Sequence, residues 1–343
     1  MIEPGAGNLL EADADALVNT VNTVGVMGKG IALQFKKAFP ENFAAYEKAC
    51  KAGEVQPGRM FTVDLHRLQS PRFIINFPTK RDWKHKSRLA DIESGLAALV
   101  EEIRRLKITS IAVPPLGCGN GGLDWSEVRP LIEAAFAVVP EVRVLLYAPT
   151  GAPEAAAMPI KTKRPPMTPG RAAVVAVMSR YAMAGYSLTL LEVQKLLYLL
   201  QEAGETLTTL KFAKDRYGPY ADTLRHVMDK MDGHFIRGWG DGANKPETQL
   251  EVVPEAAAEA EDYLRGETGT HERLSRVAEL IEGFETPYGM EVLSTVHWVA
   301  TRENAASVAE AVRQTHAWNP RKATFAPDHI RAAWTALEQK GWL

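Results

Sequence analysis

Three segments combine residue types in ways that core packing does not require. The first, Asn19-Thr20-Val21-Asn22-Thr23-Val24-Gly25-Val26-Met27-Gly28-Lys29-Gly30-Ile31, leads from a strand-like stretch into a helix-like one. Its glycines let a ligand approach the backbone, and N–H groups at a helix start favour a diphosphate. The spacing is neither a Walker A loop nor a GxGxxG fingerprint. The second segment, Pro114 to Trp125, holds Gly117, Gly119, Gly121 and Gly122, the composition of an anion-binding nest. The third is Pro78-Thr79-Lys80-Arg81-Asp82-Trp83-Lys84-His85-Lys86-Ser87-Arg88. Arg81, Lys84 and Lys86 could neutralise nucleic-acid phosphates there while Trp83 stacks a base. Lys80 directly follows a strand end. Partial desolvation and crowding by Arg81, Lys84 and Lys86 should lower its pKa and make the neutral amine available. His85 reads as a solvated histidine rather than a general base.

The elements that must position these loops alternate in type. Asp15–Asn19, Arg72–Phe77, Ile108–Val113 and Val142–Tyr147 read as strands. Gly30–Phe39, Asn42–Cys50 and Ser126–Val138 read as helices, and Ser87 is placed to cap a long helix carrying Leu89, Ile92, Leu96, Leu99, Ile103 and Leu106. Strands alternating with helices predict an α/β layered domain with a parallel or mixed sheet. Ligands of such sheets sit beyond the carboxyl ends of the strands, where all three loops lie.

Residues 150–171, TGAPEAAAMPIKTKRPPMTPGR, have linker composition. The predicted organisation is a domain over 1–155, a linker over 156–171 and a mostly helical domain over 172–343. In the latter, Leu190, Val193, Leu196, Leu197 and Leu200 share a face, and His234–Trp239 could pair with Thr248–Val253 as a small hairpin. Helices are expected near 271–284, 288–301, 304–315 and 327–340. The 343 residues carry a net charge of −2 that is unevenly spread. Residues 1–155 are neutral, whereas 172–343 hold 18 basic and 24 acidic side chains. That acidic half suits a basic protein partner better than nucleic acid. Cys50 and Cys118 lack metal-site spacing, and neither a membrane-spanning stretch nor a secretory signal is visible. A reduced, cytoplasmic protein with no membrane association is the expectation.

Gly7-Asn8-Leu9-Leu10, Ala16–Asn22, Gly25–Gly30 and Gly117–Gly122 together resemble a macrodomain, a fold with a mixed sheet in three α/β/α layers. Asn-Thr-Val-Asn-Thr-Val-Gly-Val-Met-Gly-Lys-Gly with Phe-Pro-Thr-Lys80 resembles the branch of DNA ADP-ribosyl glycohydrolase antitoxins that oppose DarT-like toxins. Around Lys195-Leu-Leu-Tyr198, Arg216-Tyr-Gly-Pro-Tyr220 and Gly233-His-Phe-Ile, the second half is similar to toxin-neutralising antitoxin domains, although Tyr198 and Tyr220 individually read as core residues. The resemblance implies that ADP-ribose is bound by Asn8, Leu9, Thr20, Val21, Asn22, Gly28, Gly30, Ile31, Thr79 and Gly117-Cys118-Gly119-Asn120-Gly121-Gly122. Asn22 would orient the distal ribose. Two departures are visible. Asn8 stands where many macrodomains have an aspartate, and Asp124 is displaced from the second glycine loop, where it is expected to cap the following helix.

The resemblance further implies cleavage of the N-glycosidic bond between ribose C1″ and a DNA base. Lys80 would act as nucleophile or as a charged aid to base departure, with no metal and no cofactor. The partners implied are ADP-ribosylated single-stranded DNA and a cognate DNA ADP-ribosyltransferase toxin. A hydrolase of ADP-ribosylated protein and a non-enzymatic ADP-ribose reader are the alternatives.

Overall fold

The computed structural model describes residues 1–343 apart from Ala184 and Ser187. It divides into two compact units, Met1–Lys163 with Gly240–Ala243, and Arg164–Trp239 with Asn244–Leu343. The first boundary therefore falls later than residue 155. Residues 155–163 fold against the first unit, with Met158 buried and Lys161 N–H donating to Lys37 O at 2.8 Å. The composition of 150–171 signals irregular backbone, not a free spacer.

The first unit runs β1 (Ile2–Pro4), β2 (Ala16–Val21), α1 (Gly30–Ala38), α2 (Pro40–Lys51), β3 (Phe61–Asp64), β4 (Phe73–Pro78), α3 (Leu89–Leu106), β5 (Ser110–Val113), α4 (Trp125–Phe136) and β6 (Arg143–Leu146). Its six-stranded sheet has the order β1-β6-β5-β2-β4-β3. All neighbours are parallel except β3, which pairs antiparallel with β4. Period-two alternation builds the layers. Ala16, Val18, Ile75, Phe77, Ile111 and Val113 pack with α3 and α4 on one face. Leu17, Ile74 and Ala112 pack with Phe35 and Phe39 on the other. This is the predicted α/β/α macrodomain architecture. The sequence expectation omitted β1 and β3, the outermost strands, which are short and only partly buried. Ser87 is not the cap of α3. Arg88 holds that position, and the Ser87 hydroxyl is buried without a hydrogen-bond partner. Asp124 does cap α4, accepting from Ser126 N–H at 2.8 Å.

The second unit is built of α5 (Pro169–Met183), α6 (Leu190–Glu202), β7 (Ala213–Asp215), β8 (Gly218–Tyr220), α7 (Leu224–Met231), β9 (Ile236–Arg237), β10 (Glu251–Val252), α8 (Pro254–Leu264), α9 (Thr268–Ile281), α10 (Pro287–Arg302), α11 (Val308–Trp318) and α12 (Pro327–Gln339). The predicted hairpin is present as β9 paired antiparallel with β10. A second one, β7–β8, carries Arg216-Tyr-Gly-Pro-Tyr220. Tyr198 is fully buried and bonded to His297 Nδ1 at 2.8 Å, as a core residue should be. Tyr220 is 36% exposed and does not belong to the core.

Behind β8 lies a buried charge cluster. Glu291 accepts from Lys322 Nζ at 2.6 Å and from Arg321 at 2.8 Å, and both Glu291 and Lys322 are fully buried. Lys195, also buried, donates to Pro219 O at 2.7 Å, and burial together with the nearby Lys322 charge depresses its pKa to about 7. Gly218, at φ +96°, admits this packing. A Cβ there would lie 2.9 Å from Thr295 Oγ1 and 3.6 Å from both lysine nitrogens. Removing one partner of a buried pair leaves an uncompensated charge. Glu291→Gln should therefore destabilise the protein by about 3 kcal/mol, read as a lower midpoint in urea. An unchanged midpoint would show the cluster to be solvated.

Candidate functional site

The site assembles at the carboxyl ends of β2, β4 and β5. Thr79 N–H donates to Val21 O at 2.9 Å, extending the β2–β4 pairing one residue beyond the sheet and delivering Lys80 to its rim. The Lys80 ammonium or amine donates to the backbone carbonyl of Asn120 in the second glycine loop. Ser87 N–H donates to Gly121 O at 2.9 Å, so the basic loop is laced to the glycine loop at both ends. Glycine is obligatory at 121, where a Cβ would fall 2.1 Å from Gly117 O and 2.4 Å from Ser87 Oγ. A Cβ at Gly30 would meet Asn120 Nδ2 at 2.8 Å, which brings the first glycine loop to the same place. Lys80, Gly30 and Asn120 thus lie close together.

Burial is the cause of the lowered Lys80 pKa. Crowding by Arg81, Lys84 and Lys86, which the sequence reading added, does not contribute. Arg81 forms a two-point ion pair with Asp91 on α3, at 2.5 and 2.9 Å. Lys84 lies over the Trp83 ring, 5.1 Å from its centroid. Arg81 is therefore a fastening of the loop rather than a free contact for DNA. Trp83, Lys84 and Lys86 remain exposed. His85 is exposed as expected. Cys118 has its thiol pKa pushed up to about 11, chiefly by burial, so it is no thiolate nucleophile.

The amide of Asn22 folds its own loop. Its Oδ1 accepts from Val24 N–H at 3.0 Å and Val26 N–H at 3.2 Å, and Nδ2 donates to Val26 O at 2.5 Å. The hydroxyl of fully buried Tyr46 donates to Asn22 O at 2.7 Å and lies 3.1 Å from Oδ1. Sequence reasoning assigned Asn22 to ribose hydroxyls; the structure gives most of its hydrogen-bonding capacity to shaping the loop. Tyr46 was missed, since a core tyrosine on α2 carries no local signal. Asn8 is likewise engaged, accepting from Leu10 N–H at 3.1 Å and donating to Ala157 O at 3.2 Å. Leu9 and Val21 are buried, Thr20 and Ile31 half-buried, and Thr79 buried. Gly30 N–H donates at 2.8 Å to Asp241 O, part of the 240–243 segment that folds into this unit, so this amide already has a partner. Gly28, Gly119 and Gly122 are exposed. Among the described residues no cluster of His, Cys, Asp and Glu could hold a metal ion, and no helix is long and apolar enough to cross a membrane.

The macro domain family model matches residues 18–132. A DNA ADP-ribosyl glycohydrolase of Thermus aquaticus is 49% identical over 338 residues, covering 98% of this chain and 93% of that one. The chain belongs to the DNA ADP-ribosyl glycohydrolase family. A member from Mycobacterium tuberculosis is 46% identical over 352 residues, covering 97% of this chain and 98% of its own. A DNA ADP-ribosyl transferase–DNA ADP-ribosyl glycohydrolase fusion protein of Thermosipho africanus is 38% identical over 158 residues, spanning 42% of this chain and 40% of that protein. Membership in the glycohydrolase family covers both units, since the first two matches run nearly end to end.

The exposed glycines offer a clean test of ligand placement. At Gly119 an added Cβ meets nothing within 4 Å, and the backbone is not left-handed there, so the fold should accept a side chain. If the diphosphate takes the backbone N–H groups of this loop, as the macrodomain resemblance implies, Gly119→Glu should nevertheless reduce ADP-ribose affinity by about 100-fold by setting a carboxylate against it. Wild-type affinity by calorimetry would move the diphosphate elsewhere.

Proposed function

We propose that this chain removes ADP-ribose from ADP-ribosylated DNA bases and that Lys80 carries the chemistry. The observation behind this reading is the placement of Lys80: at the end of β4, against the Asn120 carbonyl, partly desolvated, and beside two glycine loops. The relatives whose names state this activity match nearly the whole chain. In the reaction proposed, the neutral amine donates its lone pair to ribose C1″. The C1″–N bond breaks with its electron pair going to the base, which takes a proton from water. The hydroxide left by that transfer then displaces the lysine, whose nitrogen became cationic on bonding C1″, releasing ADP-ribose and regenerating the neutral amine. The exposed backbone N–H of Gly119 would hold the diphosphate, the Gly122 N–H being given to Gly119 O at 3.0 Å, and the second Nδ2 hydrogen of Asn22 would reach the distal ribose. Trp83, Lys84 and Lys86 would receive the DNA strand.

The second unit supports a further role, sequestration of the cognate DNA ADP-ribosyltransferase toxin, so that the chain acts as an antitoxin in two ways. One relative unites transferase and glycohydrolase in a single polypeptide, which fits a functional pairing of the two activities. Incubation with ADP-ribosylated single-stranded DNA, following free ADP-ribose by chromatography, tests the central claim. Release from an ADP-ribosylated protein but not from DNA would favour the protein-hydrolase alternative, and binding without release would leave a reader.

A further inference from the structure

The first glycine loop ends in a tip that is held firmly yet presents apolar side chains to water. Val24 is 48% exposed and Val26 40% exposed, on either side of Gly25 at φ +80°. Both of their N–H groups are fixed by Asn22 Oδ1, and Asn22 is in turn held by Tyr46 from the core. Thr23 Oγ1 donates to Arg81 O at 2.7 Å, joining this tip to the loop that carries Trp83. Trp83 is itself 48% exposed. Three large apolar side chains therefore stand in water on two mutually bonded loops next to Lys80, whereas the other exposed ones of this unit, Met1, Ile2, Leu68 and Val138, lie outside these two loops.

We propose that Val24 and Val26 are a second contact surface for single-stranded DNA, receiving a nucleobase that flanks the modified one while Trp83 receives another. This rests on the DNA glycohydrolase reading and extends it to nucleotides beyond the ADP-ribosylated base. Charge selects the occupant. Lys84, Lys86 and Arg88 are exposed on the Trp83 loop, and the one acid there, Asp82, is turned back to accept from Lys84 N–H at 2.8 Å. Apolar groups beside lysines that could follow a phosphate backbone are what single-strand binders use, because every base offers an apolar face whatever its sequence. Valine suits the task. Its χ1 is stiff, so contact with a base sacrifices little side-chain entropy, and apolar side chains are known to lodge between or against bases. The fixed backbone keeps the tip in place before DNA arrives.

The test compares the full-length Val24→Ser/Val26→Ser double variant with wild type. The substrates are an ADP-ribosylated single-stranded oligonucleotide and an ADP-ribosylated nucleoside with no flanking nucleotides. Affinity for the unmodified oligonucleotide is measured alongside by fluorescence anisotropy. The expected result is a KM for the oligonucleotide raised about tenfold with kcat retained, an equal loss of affinity for unmodified DNA, and unchanged kinetics on the nucleoside. Equal impairment on both substrates would overturn the proposal, as it would show that serine merely disturbs the loop. Unaltered oligonucleotide KM and affinity would also overturn it, and a simultaneous change in oligomeric state by sedimentation would assign the valines to a second copy of the chain. If wild type releases no ADP-ribose from DNA but the substitution still weakens oligonucleotide binding, the glycohydrolase reading fails and the contact surface stands.

Discussion

Lys80→Ala should abolish release of ADP-ribose from DNA, with kcat falling on the order of 10³-fold or more, while ADP-ribose affinity changes little. The side chain donates to a backbone carbonyl of the second glycine loop and makes no ion pair among the described residues. Its removal leaves no buried charge behind, so the fold should survive. The pH dependence distinguishes its two possible roles. Burial lowers the Lys80 pKa below the ordinary lysine value, which enlarges the neutral fraction at any pH beneath it. If the neutral amine attacks C1″, kcat/KM rises with pH and levels off above the lowered pKa. If the ammonium assists the leaving base, the profile falls over the same range. Lys80→Arg sharpens the contrast, because arginine stays protonated in proteins. The nucleophile reading requires it to be as inactive as alanine, whereas a charge-assisting role would leave it partial activity. Detection of a ribose adduct on Lys80 by mass spectrometry of the rapidly quenched enzyme would complete the case. Full turnover by Lys80→Ala would end it.

How much of this site could be read from residues alone depended on the range of the interactions involved. The layers were legible because Ala16, Leu17 and Val18 face alternate sides of the sheet and the apolar spacing of α3 is regular. The two glycine loops were legible because Gly121 cannot carry a side chain at all, and composition records that necessity. Partners distant in sequence were not legible. Arg81 looks like a phosphate ligand until α3 brings Asp91 to it. Ser87 looks like a helix cap until its backbone is found tied to Gly121. Asn22 has the right type for a ribose ligand, yet the same short amide closes a turn onto Val24 and Val26, and only the buried Tyr46 hydroxyl shows which use the fold has made of it. Lys80 was singled out by its position at a strand end; the desolvation expected there is present, whereas the crowding expected from neighbouring letters does not contribute to its lowered pKa.

The proposed sequestration of a toxin makes a prediction that catalysis cannot explain. Full-length Lys80→Ala, inactive as a hydrolase, should still neutralise the cognate DNA ADP-ribosyltransferase, but only at one-to-one or higher stoichiometry. Wild type should protect DNA at substoichiometric amounts as well, because it erases each modification the toxin makes. The motivation is charge and composition. Residues 172–343 hold 24 acidic against 18 basic side chains, and a toxin that handles DNA must present a basic surface to it. An acidic surface competing for the same face would block substrate without any chemistry. The buried cluster of Glu291, Lys322 and Lys195 is unsuited to that contact, being sealed from solvent, so the competing groups must come from the exposed acids. Steering by exposed charges is screened beyond ~8 Å at physiological ionic strength. Association of toxin with the Lys80→Ala protein should therefore slow as salt rises, while dissociation changes less. Inhibition is measured as transfer of labelled ADP-ribose to single-stranded DNA, and association by surface-immobilised toxin over a salt series. Loss of all protection in the Lys80→Ala protein would reduce the antitoxin to its hydrolase activity, and a salt-independent on-rate would replace charge with shape as the basis of recognition.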